Sequence, residues 1–313
     1  VRPDHVPDRP HPATSTRTFS FLVNPLSGGG AAPGAVVPVA RVLRDAGAAV
    51  EVTYSPGPRA TLDLVREAVA RGDVVVSVGG DGMLSSVAGE VASLGGTLGL
   101  VPAGRGNDFA RMLGLPTDPA AVARVLLDAA PRRVDLVSVV GADGTARVVA
   151  GSAYAGVDAR AAEIVDRVHR LPRRLQYPWA AVRALATFTP ATYALTLDGV
   201  THEARAATVV VANSGFYGSG MHIAPDADLA DGVLDVVVIA AAGRLDLIRS
   251  LPKVYDGSHL ALPEVSVHRA REVRLELRDG EVPVGADGEP LTVLRPGAHL
   301  TARVLPQALS VLH

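Results

Sequence analysis

Two short polar turns hold the residue types that chemistry on a phosphate needs. Residues 77–82 read Ser-Val-Gly-Gly-Asp-Gly, and residues 104–111 read Gly-Arg-Gly-Asn-Asp-Phe-Ala-Arg. Each follows directly on an apolar run of strand character, at 74–78 and 98–102. Adjacent parallel strands would deliver both turns to one sheet edge, beyond the carboxyl ends of the strands, where open α/β sheets bind ligands. Gly79, Gly80, Gly82, Gly104 and Gly106 carry no side chain to keep the backbone from a phosphate. Asp81 and Asp108 supply hard oxygen ligands for a divalent metal beside it. The constellation points to phosphoryl transfer.

Each motif also has a plainer explanation. Gly79–Gly82 could be a tight turn, and Asn107 and Asp108 are both good helix caps. Asn24-Pro25 followed by Ser27-Gly28-Gly29-Gly30 could be a turn, or a third loop walling a nucleotide pocket at the same edge. The stretch 213–236 contains Asp226, Asp228, Asp231 and Asp235, which repel one another unless solvated or bridged by a hard cation. Asp287-Gly288-Glu289 reads as a hairpin turn with an exposed acid, or as a carboxylate that takes a hydroxyl proton. Between Asp166 and Asp198 there is no acid, while Arg167, His169, Arg170, Arg173, Arg174 and Arg183 stand beside Leu171, Leu175, Tyr177 and Trp179. Such a stretch is either a helix with a solvated basic face or one that lies on an anionic membrane surface.

The elements that must position these residues fall into two textures. Over 18–133, strands at 19–23, 48–54, 74–78 and 98–102 alternate with helices at about 35–46, 59–71, 83–93 and 118–129. That alternation predicts a parallel sheet covered on both faces. From 134 to 297, short Val-rich runs are punctuated by Asp-Gly pairs at 143–144, 231–232, 279–280 and 287–288. These predict a mostly antiparallel β domain, with a helical excursion at about 158–188. Residues 1–17, with four prolines and little to bury, are expected to form a disordered tail. The 313 residues suit two domains, and the net charge of −2 gives no global basic field for nucleic acid. The absence of cysteine excludes disulfides and thiolate metal sites. There is no spanning apolar run and no apolar signal core at the N-terminus. An uncovered sheet edge is a place where two chains could pair as a homodimer.

In order, Asn24-Pro25 with Ser27-Gly28, Gly79–Gly82, 104–111, Ala155-Gly156-Val157-Asp158-Ala159, 216–221, 224–232 and Asp287-Gly288-Glu289 resemble the diacylglycerol kinase catalytic-domain family. That family includes bacterial diacylglycerol kinases and the sphingosine and ceramide kinases. The resemblance runs from about Phe19 to the end. It implies an N-terminal α/β domain like that of phosphofructokinase and NAD kinase, a C-terminal antiparallel β-sandwich, and an active site between them. It also implies ATP held along Asn24, Ser27, Gly28, Gly79, Gly80, Gly82, Gly104, Gly106 and Asn107, and catalytic Mg2+ organised by Asp81 and Asp108. The acidic loop matches a structural magnesium site made by Asp228, Asp231 and the Val233 carbonyl. Glu289 matches the general base of the bacterial diacylglycerol kinases, whereas sphingosine kinases assign that role to the acid corresponding to Asp81; the resemblance leaves both open. Its implied activity is transfer of the ATP γ-phosphoryl group to a lipid hydroxyl, diacylglycerol foremost, by a cytoplasmic protein in peripheral contact with membrane. Met83 stands where the family usually has Thr, and Arg105 where it has Thr or Ser. The alternatives are an NAD kinase, which shares Gly-Gly-Asp-Gly, and a nucleotide- or lipid-binding regulator without catalysis.

Overall fold

The computed structural model describes residues 17–165 and 171–313. The tail expected at 1–17 lies outside the described residues except for Arg17, and so do Arg167, His169 and Arg170 of the basic stretch.

The first half alternates strand and helix. In chain order it runs β1 (Thr18–Val23), α1 (Ala32–Asp45), β2 (Ala49–Tyr54), α2 (Pro58–Ala70), β3 (Val74–Gly79), α3 (Asp81–Ser93), β4 (Thr97–Pro102), α4 (Asp108–Met112) and α5 (Pro119–Asp128). Helix α1 buries Val36, Val39, Ala40 and Leu43, a stripe at helical spacing, and α5 starts where the Asp118 carboxylate caps the Ala121 N–H at 2.8 Å. The parallel strands lie in the order β2-β1-β3-β4. Because α1 and α5 cover one face and α2 and α3 the other, residues 74–78 of β3 are buried throughout. The chain leaves β1 towards β2 and returns to its other side at β3, so the strand order reverses at β1. That switch point opens a crevice at the carboxyl ends of the strands.

The second half comprises β5 (Pro131–Val140), β6 (Ala146–Val149), β7 (Ser152–Gly156), α6 (Val157–Val165), α7 (Arg173–Thr187), β8 (Ala191–Leu197), β9 (Val200–Ala212), β10 (Phe216–Tyr217), β11 (Met221–His222) and β12 (Leu234–Ala240). It continues through α8 (Arg244–Ser250), α9 (Lys253–Asp256), β13 (Val265–Ala270), β14 (Glu272–Leu277), β15 (Val282–Ala286), β16 (Glu289–Leu294) and β17 (His299–Leu312). Pairing within this half is antiparallel, and the inward faces form one core around Tyr193, Leu195, Leu275 and Leu300. The structure therefore has a mixed α/β N-terminal unit with parallel strands and an antiparallel, sandwich-like C-terminal unit.

Strand β17 belongs to both. Its first half pairs with β14 and β5, a bulge follows between Leu305 and Leu309, and Ser310 and Val311 then pair parallel with Thr97 and Leu98 of β4. Asp135 holds the bulge: its carboxylate accepts the Gln307 N–H at 2.6 Å and the Gly232 N–H at 2.7 Å. The sequence pattern did not predict α4, α8, α9 or the β10–β11 hairpin, whose elements are too short for a periodic signal.

Candidate active site

Loops after β1, β3 and β4 meet at the carboxyl edge of the parallel sheet, and glycine permits the contact. A Cβ on Gly28 would lie 2.3 Å from the Ala103 carbonyl oxygen, and one on Gly104 would lie 2.4 Å from the Gly80 Cα. Asn107, in the left-handed region at φ 53°, locks the third loop: its Oδ1 accepts the Gly104 N–H at 2.7 Å. Asn24 Oδ1 accepts the Leu26 N–H at 3.0 Å and shapes the first loop. Together with Gln176 from α7 and the 287–289 turn, these loops line an open cleft. Of the nine residues expected to hold the nucleotide, all but Gly79 and Asn107 line this cleft. Gly80, Asp81 and Gly82 sit at the start of α3, where free N–H groups and the helix dipole favour an anion. Met83 packs on Gly79 along the same wall, and Arg105 Nη1 reaches Gln176 Oε1 at 3.5 Å.

Asp81 and Asp108 converge at the floor of the cleft. Gly106 makes room for both: the position its Cβ would take is 2.8 Å from Asp108 Oδ2 and 3.0 Å from Asp81 Oδ2. Burial, and then the neighbouring Asp108 charge, push the Asp81 carboxyl up to about 7, although its Oδ1 accepts the Phe109 N–H at 3.2 Å. Burial also raises Asp108. The helix-cap explanation does not hold for Asp108. Its two oxygens accept the Ser219 and Gly220 N–H groups at 2.8 and 2.7 Å, tying α4 to the loop after β10. Buried Asp108 and half-buried Asp81, mutually repelling, form a hard-oxygen donor pair whose negative charge a divalent cation would relieve, so these residues fit magnesium.

Glu289 stands at the cleft mouth, its carboxylate pressed on the backbone of Gly82: a Cβ there would lie 2.6 Å from Oε1. Asp287, two residues earlier, was legible only as a turn residue. In the structure its carboxylate accepts N–H groups from Ala150, Gly151 and Ser152 at 2.9–3.2 Å and a hydrogen bond from the Ser85 hydroxyl. It thereby fastens α3 to the β6–β7 turn, and burial raises it despite those donors.

Behind the carboxylates lies a small chamber, which shares Asp81, Gly106 and Asp287 with the cleft. Tyr154 and Tyr217, edge to face with ring centroids 5.8 Å apart, line this chamber and also a third space. That space is an apolar cavity of about 980 Å³, its mouth included, walled by α6, α7, α8 and the segment 250–265. A buried acid, Asp158, stands in it, accepting the Thr208 hydroxyl at 2.5 Å and a hydrogen bond from Tyr217; burial raises both Asp158 and the Tyr217 phenol. Asp158 and Tyr217 fall within motifs quoted for the resemblance, yet nothing in their spacing shows that they meet. The one available signal is an acid set among apolar residues at 155–159.

The acidic loop is arranged differently. Asp228 and Asp231 are exposed, and each accepts an N–H of its own turn, from Ala230 at 2.9 Å and Val233 at 3.0 Å. The Arg269 guanidinium pairs with the other oxygen of Asp231 and lies 3.8 Å from Asp235. Among the described residues no cluster of three or more acidic or imidazole ligands is formed. The Asp231 charge is met by arginine rather than presented to a cation, so Asp228, Asp231 and the Val233 carbonyl as arranged do not fit a metal site.

A glycine-lined cleft, a carboxylate chamber beside it and an apolar cavity that shares Tyr154 and Tyr217 with the chamber are the arrangement of a phosphotransferase. Residues 18–139 match the diacylglycerol kinase catalytic domain, and residues 151–313 match the YegS C-terminal NAD kinase beta sandwich-like domain. A diacylglycerol kinase of Mycobacterium tuberculosis (strain H37Rv) is 34% identical over 294 residues, covering 93% of each chain. A "probable lipid kinase YegS-like" protein of Stenotrophomonas maltophilia is 30% identical over 251 residues, covering 77% of this chain and 80% of its own. The crystal structure of a diacylglycerol kinase from Bacillus anthracis str. Sterne superposes with a TM-score of 0.68 at 19% identity, over 95% of this chain and 97% of that one, and shows the shared fold. The chain belongs to the diacylglycerol kinase catalytic-domain family of lipid kinases.

Proposed function

We propose that this enzyme transfers the γ-phosphoryl group of ATP, with Mg2+, to the hydroxyl of a membrane lipid, diacylglycerol foremost. The observation that supports this is the adjacency of the three spaces, which share Asp81 and Asp287 on one side and Tyr154 and Tyr217 on the other. A phosphate donor in the cleft and an acyl chain in the apolar cavity would meet at the carboxylate chamber. A polar acceptor such as NAD would find few partners in that cavity, which disfavours the NAD kinase alternative.

The chain's own groups divide the work. The glycine loops and the start of α3 hold phosphate oxygens by N–H donation and exclude side chains from the approach. Asp81 and Asp108 would hold the magnesium, which when bound neutralises charge on the transferring group. Asp81, if engaged in holding the metal, would not be free to take a proton, which leaves Glu289, beside Gly82 and outside the carboxylate pair, as the acceptor of the hydroxyl proton. Tyr154 and Tyr217, which line both chamber and cavity, would orient the glycerol end of the lipid between them.

The test is incubation with labelled ATP, Mg2+ and mixed micelles of diacylglycerol, sphingosine, ceramide and phosphatidylglycerol. Labelled phosphatidic acid is expected. Label in NAD, or intact ATP binding with no labelled lipid, overturns the reading.

A further inference from the structure

Helix α7 is apolar on two sides. Its inner side buries Ala180, Ala184 and Leu185 against α6, and Ala181 and Leu185 line the apolar cavity. Leu175, Trp179 and Val182, spaced four and three residues apart and so on one stripe, remain 47%, 39% and 40% exposed. Among the described residues no other helix exposes three large apolar side chains. Leu245 on α8, which packs beside α7 and also walls the cavity, is 66% exposed. A second apolar surface on a helix that already has a buried one needs an occupant.

The charges identify it. Helix α7 has three arginines and no acid in its 15 residues, and the Arg183 guanidinium lies over the Trp179 ring, 5.2 Å from its centroid. An arginine on a tryptophan face, beside aliphatic side chains and without neighbouring acids on the helix, matches the boundary between anionic headgroups and acyl chains. The nearest exposed acid on α8, Asp246, is paired with Arg249 at 3.6 Å.

We propose that the outer face of α7, extended by Leu245, docks on an anionic phospholipid bilayer. The cavity then lies one helix thickness from the membrane, and a lipid has a short apolar route into it. Gln176 of the same helix holds Arg105 at the nucleotide cleft, so membrane contact and the cleft share an element. The proposal rests on the lipid-kinase function only for the identity of the cargo.

Trp179 is the chain's single tryptophan, so its fluorescence reports this face alone. The protein is titrated with phosphatidylcholine vesicles with and without phosphatidylglycerol, and bound protein is sedimented. The expected result is a blue shift and co-sedimentation with the anionic vesicles, weakened by salt. Leu175→Glu, Val182→Glu and Leu245→Glu, on two different helices, should each lower vesicle affinity by about tenfold. Their phosphorylation of a short-chain diacylglycerol dissolved as monomer should be unchanged. An unmoved Trp179 spectrum, or variants that sediment like wild type, overturns the docking face. If wild type ignores the dissolved diacylglycerol yet binds vesicles, the kinase reading fails and the docking face stands.

Discussion

Four acids near the reacting centre have different surroundings and therefore different tasks. Asp81 is half-buried beside Asp108, Asp287 is spent on backbone donors, and Glu289 lies at the cleft mouth. Glu289→Gln is expected to lower kcat by about 100-fold or more while the rise in melting temperature caused by Mg2+ and ATP persists. Asp81→Asn should abolish turnover and that Mg2+-dependent rise together, with the fold intact by circular dichroism. If Glu289→Gln keeps near-normal kcat, proton acceptance belongs to Asp81. Gly104→Ala places a methyl 2.4 Å from the Gly80 Cα, so two loops must part. ATP affinity should fall by about tenfold or more in calorimetric titration, since a displacement near 1 Å is enough to lose a positioned contact.

At the scale of elements, the site depends on side chains that tie one element to another. Asp287 joins α3, the β6–β7 turn and the β15–β16 turn. Asp287→Asn swaps a charged acceptor for an amide that must turn an N–H toward donors. It should cost about 2–4 kcal/mol in urea unfolding and lower kcat through misplacement of Glu289. The cavity walls are lined with small residues of α6 and α7, among them Ala162 and Ala181. Ala181→Phe should raise KM for long-chain diacylglycerol and spare a short-chain one. Equal effects on both would place the acyl chains elsewhere.

For the whole molecule, the relevant quantities are pH and cooperativity. Asp81 is raised from 3.8 to about 7 on folding, and Asp108 and Asp287 move the same way. The folded state therefore holds more protons than the unfolded state in that window, and these groups lose stability as pH rises from about 4 to about 7. Mg2+ should accordingly raise the melting temperature more at pH 8 than at pH 5, and Asp81→Asn should flatten the difference. A magnesium effect independent of pH would argue against the carboxylate pair as its site. Since β17 pairs with strands of both units, calorimetry should show one transition rather than two.

The alternating first half was legible because each strand and helix there is long enough to display its own period, and because glycine and proline punctuate it. The antiparallel texture of the second half was legible from Val-rich runs and Asp-Gly turns. The meeting of the glycine loops followed from these, since a loop at the end of a known parallel strand has a known edge. What needed the tertiary structure was every relation across the sequence. Examples are the Tyr154–Tyr217 pair, the Asp158 contact with Thr208, Asp287 reaching back to Ala150, and β17 crossing to β4. Such partners lie tens to hundreds of residues apart, and no local periodicity encodes them. The acidic loop shows the same limit: its spacing suited a cation, but β13 sets Arg269 against Asp231. A residue's type states which chemistry it can do; packing decides which partner, charge and solvent it meets while doing it.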